Sequence, residues 1–92
     1  KLLSFIYANI KYPPLAIEAQ IEGTVVVSFV INKDGSVVDI KVLREPGGGC
    51  GKETTRIVKL MNKMSKKWTP GKQRGKPVRV RYNLPVRFKL NN

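Results

Sequence analysis

The chain has 92 residues, 41% of them apolar and 26% charged, enough for a single domain with one core. A lone Cys50 and the absence of His exclude an internal disulfide and a zinc site, and they remove the usual general base of catalysis. The net charge of +12 is uneven: residues 1–51 balance five basic against five acidic side chains, while residues 52–92 carry thirteen basic side chains and one acid, Glu53.

A field polarised in this way attracts an anionic partner or surface and weakens as salt rises. The longest apolar stretch, Val25 to Ile31 interrupted by Ser28, is far too short to cross a bilayer. No charged-then-apolar targeting segment opens the chain. Lys1 is not Met and the apolar pattern begins at once. The reading is an excised domain, 1–92, with a membrane anchor and linker expected outside it.

Leu2, Leu3, Phe5, Ile6 and Ile10 share one broad helical face, which predicts a short amphipathic helix. Tyr12-Pro13-Pro14 ends it, and Pro14 suits the first turn of a second short helix, Leu15 to Gln20, packing Leu15, Ala16 and Ala19. After Gly23, residues 24–32 alternate as a strand with Val25, Val27, Phe29 and Ile31 on the core face. Asn32-Lys33-Asp34-Gly35 is a hairpin loop, and Ser36 to Arg44 returns as a second strand. Its Val38, Ile40 and Val42 are expected in the core, with Asp39 and Lys41 solvated.

Glu45 to Gly51, with four glycines, reads as a flexible connector. A helix follows from about Lys52, with Ile57, Met61, Met64 and Trp68 on its buried stripe. No residue at its start is a good cap. Thr69-Pro70-Gly71 stops it, and Lys72 to Pro77 forms a basic turn.

The last segment alternates most cleanly. Val78, Val80, Tyr82, Leu84, Val86, Phe88 and Leu90 are apolar, and the residues between them are polar or Pro. This predicts one long strand with a buried face. Pro85 has no N–H for a ladder, so the strand belongs at a sheet edge. Arg79, Arg81, Arg87 and Lys89 are the kind of charges that blunt an edge. The expected fold is α+β: a three-stranded antiparallel sheet with helices on one face, in the order α-α-β-β-α-β, the last strand lying beside the first.

Candidate chemistry is sparse. The six acids form no catalytic motif, and Cys50 has no base near it in sequence. The glycine-rich loop fails as a phosphate cradle, because Glu53 stands where a hydroxyl is required. Neither an enzyme nor a cofactor or metal site is expected. A small basic nucleic-acid-binding domain is the rival, but Tyr82 and Phe88 fall on the core face of the last strand, not on an exposed stacking platform. Peptide capture by strand addition needs only the exposed edge.

The residues also resemble a known family, the C-terminal domain of TonB-type energy transducers. The likeness rests on Asn9-Ile10-Lys11-Tyr12-Pro13, on Ile21 to Phe29, on Asp34-Gly35-Ser36-Val37 and on Lys67-Trp68-Thr69-Pro70-Gly71-Lys72. Gly75-Lys76-Pro77-Val78 and Tyr82-Asn83-Leu84-Pro85-Val86 complete it. The glycine loop and basic turn look most like the Bacteroidetes branch. The resemblance implies a periplasmic domain tethered to the inner membrane. It implies binding, beside the last strand, of the TonB box, an extended segment at the plug of outer-membrane transporters. Through that contact, force from a proton-driven inner-membrane motor complex would open the transporter for nutrient uptake.

Carried over by position, the partner-binding residues are Asn9, Ile10, Lys11 and Tyr12, with Arg79, Arg81, Asn83, Pro85, Arg87 and Lys89. Asn9-Ile10 replaces the Gln-Pro frequent before Tyr-Pro in the family. The helix ending at Trp68 is about one turn longer and lacks a Pro before Lys67. The same module also occurs as the sensor tail of membrane-bound regulators and peptidases, and only sequence upstream of Lys1 separates the two. An exposed last strand is also able to pair with a second copy of itself, forming a homodimer.

Overall fold

The computed structural model describes residues 2–63 and 71–90. Its elements, in order, are α1 (Leu2–Asn9), α2 (Pro14–Glu18), β1 (Gly23–Ile31), β2 (Val37–Arg44), α3 (Cys50–Leu60) with a 3₁₀ turn at Met61–Lys63, β3 (Gly71–Gln73), β4 (Lys76–Val78) and β5 (Val80–Phe88). The main sheet runs β2-β1-β5, antiparallel throughout, with the last strand beside the first, as the sequence implies.

The buried face is built from β1 outward. Val25, Val27, Phe29 and Ile31 are buried, joined by Val86 and Phe88 of β5 and by Ile57, Val58 and Met61 from α3 and the turn after it. Ile6 of α1 and Ala16 of α2 close the layer. Each large side chain taken fully out of water contributes roughly 1.5–3 kcal/mol before chain entropy is charged against it. The hairpin between β1 and β2 forms as expected. Gly35 turns with φ 86°, and Asp34 Oδ1 accepts from the Ser36 N–H and hydroxyl at 2.9 and 2.7 Å.

Several local expectations change. In β2 the core position is Val37, not Val38, although Ile40 and Val42 do pack against the core. A bulge between the Ser28–Lys41 and Val30–Val38 pairs sets Asp39 and Ile40 opposite Phe29, with Asp39 at φ 54°. One extra residue reverses the phase of the strand. In α2 only Ala16 is buried, and Leu15 is 64% exposed. The helix is shorter than expected, ending at Glu18 with Ala19 as its C-cap.

The glycine loop is packed, not a loose connector. A Cβ on Gly48 would stand 2.8 Å from Ile21 and 2.9 Å from Ala16, so the loop lies flat on α2. Cys50 opens α3 and is wholly buried; burial first, then Glu45, pushes its thiol pKa up. Glu45 also engages this helix. Its Oε1 accepts the Gly51 N–H at 2.9 Å, placing a carboxylate at the positive end of a helix with no side-chain cap of its own.

The long C-terminal strand is two pieces. Residues 76–78 pair with 71–73 in a separate hairpin, β3–β4. Arg74 and Gly75 at φ 54° and 77° form its turn, as a two-residue hairpin requires. β5 begins after Arg79. Met64, Trp68 and the Thr69-Pro70 stop lie outside the described residues.

Candidate functional site

Among the described residues, β5 has a neighbour on one side only. Its pairing with β1 is unbroken over nine residues, from Gly23–Phe88 to Ile31–Val80. In an antiparallel ladder, alternate residues point both backbone groups at the neighbour or both away. Pro85 opposes Val26 and has no N–H, so the odd-numbered residues of β5 are those directed away. The Arg87 N–H agrees: it donates outward, to the Tyr7 hydroxyl of α1 at 2.9 Å. The side chains of these same odd residues stand on the sheet face away from the core, and Arg81, Asn83, Pro85 and Arg87 are all exposed.

The cations of this face divide into two kinds. Arg81 is a tie across the sheet: Nη1 donates to Ser28 Oγ at 2.7 Å, and Nη2 pairs with the Asp39 carboxylate of β2. That hydrogen bond holds the Asp39 carboxyl below its ordinary pKa. Arg79, Arg87 and Lys89 are exposed and make no ion pair among the described residues. They remain available to an acidic partner; Arg81 does not without giving up its tie.

The segment before the Tyr-Pro pair is divided as well. Asn9 ends α1, its amide Nδ2 donating to the Phe5 carbonyl at 2.9 Å. Ile10 packs against the core. The Lys11 N–H donates to Glu53 Oε2 at 2.8 Å, and Arg56 grips the same carboxylate at 2.8 and 2.9 Å. Arg56 above all, then the Lys11 N–H, keeps the Glu53 carboxyl below its ordinary range. Tyr12 is engaged at both ends inside the fold. Its hydroxyl donates to the Ile21 carbonyl, and its ring meets Phe88 edge-on at 5.4 Å and 85°. An open groove of about 630 Å³ runs between Lys11–Pro14 and the outer face of α3, rimmed by Lys52, Arg56 and Lys59.

Two functional contacts escape sequence reasoning. Tyr7 reads locally as one more exposed residue of a short helix, and nothing in its neighbours points to Arg87. Asp39 reads as solvated because the bulge that turns it toward Arg81 has no glycine to announce it. The rival role for the aromatics finds no geometry. Tyr82 stacks on Phe29 at 5.7 Å and Phe88 is buried, so neither offers a free face to a base. Among the described residues no group of His, Cys, Asp or Glu is placed to hold a metal, and no helix is long and apolar enough to cross a membrane.

Fold and edge together define a small α+β module with one long, regular strand at the edge of its sheet. Residues 8–90 match the model of the Gram-negative bacterial TonB protein C-terminal family, and the chain belongs to that family. It is a family of non-enzymatic, energy-transducing domains, the periplasmic part of inner-membrane-anchored proteins. Protein TonB from two strains of Helicobacter pylori is 50% identical over 44 residues. That match covers 48% of this chain and about a sixth of each relative's length, 16% and 15%. Two solution structures of Helicobacter pylori TonB-CTD share the fold at 28% identity. One has a TM-score of 0.72 over 99% of this chain and 91% of its own, and the other 0.75 over 100% and 79%.

Proposed function

We propose that the β5 edge captures the TonB box of an outer-membrane transporter as a fourth strand, and that tension from an inner-membrane proton-driven motor complex passes through this added strand. The single observation that carries the reading is the edge itself: nine residues in unbroken register with one neighbour. Such an edge gives a peptide a ready ladder. Each backbone bond contributes about 0.5–1.5 kcal/mol net, set against several kcal/mol for association and ordering, so a short box binds with modest affinity. Arg79, Arg87 and Lys89 add attraction for acidic residues flanking the box, strongest at low salt. Lys11, beside the Tyr12–Phe88 contact, stands near the end of the same strand.

Titration of a synthetic TonB-box peptide into isotope-labelled domain tests the proposal. Amide shifts are expected along Val80–Phe88. Shifts confined to loops and helices, with none on this strand, would overturn it. Self-pairing of two domains through the same edge predicts that the peptide competes with dimer formation.

A further inference from the structure

The β5 edge is not equally open along its length. Its outward positions are Arg81, Asn83, Pro85 and Arg87. Arg81 and Asn83 each present an N–H and a carbonyl. Pro85 presents a carbonyl alone. At Arg87 the N–H is already taken by the Tyr7 hydroxyl, and the Tyr7 side chain, 47% exposed, stands where the next residue of an added strand would lie. Upstream the register with β1 ends at Val80, and Arg79 separates β5 from β4, which pairs with β3 instead.

We infer that docking is confined to a window from Arg81 to Pro85, and that Tyr7 of α1 is the stop that fixes where the partner strand ends. The inference rests on the strand-addition reading and narrows it. Within the window the partner meets two donors and three acceptors, so it needs an extended segment of about five residues. That segment supplies carbonyls opposite Arg81 and Asn83 and N–H groups opposite Arg81, Asn83 and Pro85. A proline is tolerated in it only where its nitrogen points away from β5. Beyond Pro85 the partner chain must leave the edge, passing α1 with Arg87 and Lys89 exposed beside it. A negatively charged residue just past the paired segment suits that exit.

The stop also protects the free protein. The stretch of edge nearest Phe88 would otherwise offer one more unpaired N–H to a second copy, and a tyrosine hydroxyl from the same chain occupies it.

Residue-resolved amide exchange on the wild type and Tyr7→Phe, each with and without a synthetic TonB-box peptide, tests the window. In the free wild type the Arg87 amide is expected to be protected and those of Arg81 and Asn83 to exchange rapidly. In free Tyr7→Phe the Arg87 amide should exchange about fivefold faster, the scale of one lost hydrogen bond. Peptide should slow Arg81 and Asn83 in both proteins and slow Arg87 further in neither, because the ring that bars the next residue of the added strand remains in Tyr7→Phe. If peptide also slows Arg87 further in the wild type, with Tyr7 displaced, there is no stop and the window is wrong while strand addition stands. If peptide binds and slows neither Arg81 nor Asn83, strand addition itself fails, and the window with it. The Tyr82 and Leu84 amides, bonded inward to β1, report unfolding of the variant and should not change.

Discussion

The sheet has two edges, and they are built in opposite ways. β5 pairs with β1 over nine residues without a shift. β2, on the other side, shifts register twice and carries a bulge at Asp39. Its first outward backbone groups are covered: Asn62, in the turn after α3, accepts the Val37 N–H on Oδ1 at 2.7 Å and donates from Nδ2 to the Val37 carbonyl. A bulge twists an edge and a side-chain amide occupies it; both are ways of closing a strand to foreign pairing. On β5 the defences are a proline and one tyrosine hydroxyl, and they leave the middle of the strand open. Closing one edge while leaving the other regular is what the proposed capture of one partner strand requires.

The largest effect tests which way the β5 backbone faces. Leu84 bonds inward to Val27, so Leu84→Pro removes a ladder bond, orphans the Val27 carbonyl and thins the core packing. It should cost about 4 kcal/mol, read by denaturant unfolding. Next is the covered edge. Asn62→Ala bares both groups of Val37 and should cost about 2 kcal/mol. The same variant should self-associate more readily in sedimentation, because the second edge is now open. Smaller again is Asn83→Pro, one residue before Leu84 but directed outward. It should leave stability within about 1 kcal/mol of wild type, while weakening a TonB-box peptide about fivefold, by one donor. If both proline variants behaved alike, the assignment of inward and outward positions would be wrong.

The smallest effect concerns the tie across the outer face. Asp39 and Glu53 both have carboxyls lowered by an arginine, Arg81 and Arg56. A lowered folded-state pKa adds stability that is complete above the ordinary carboxylate range, near pH 4, and is lost as pH falls through the lowered value. The melting temperature should therefore fall on acidification below about pH 4. Asp39→Asn should be less stable than wild type at neutral pH, and the two should converge in acid. The gap should narrow in high salt, because the pair is exposed.

Much of this asymmetry is legible in the sequence, and the reason lies in periodicity. β5 alternates strictly, so its buried face can be read directly, and Pro85 marks the strand as an edge because no central strand tolerates it. β1 is equally plain. β2 is not, because Val37 and Val38 are both apolar and only tertiary pairing decides which turns inward. The division of the last strand at Arg79 is hidden for a related reason. Alternation continues through Lys76–Val78 into β5, while the partner changes from β1 to β3. The candidate site is legible in position but not in role. Arg79, Arg87 and Lys89 are as free as their pattern suggests. Arg81 is bound to Ser28 and Asp39, and Tyr12 to Phe88, through contacts between residues far apart in the chain. Tyr7 has the same cause: eighty positions separate it from Arg87.

The most direct test of the central claim is a set of intermolecular nuclear Overhauser contacts between labelled domain and an unlabelled TonB-box peptide. Close backbone contacts from the peptide to Arg81, Asn83 and Pro85, with none to Val37–Arg44, are the predicted result. Contacts along Val37–Arg44 instead, or a bound peptide with no backbone contact to β5, would contradict the account.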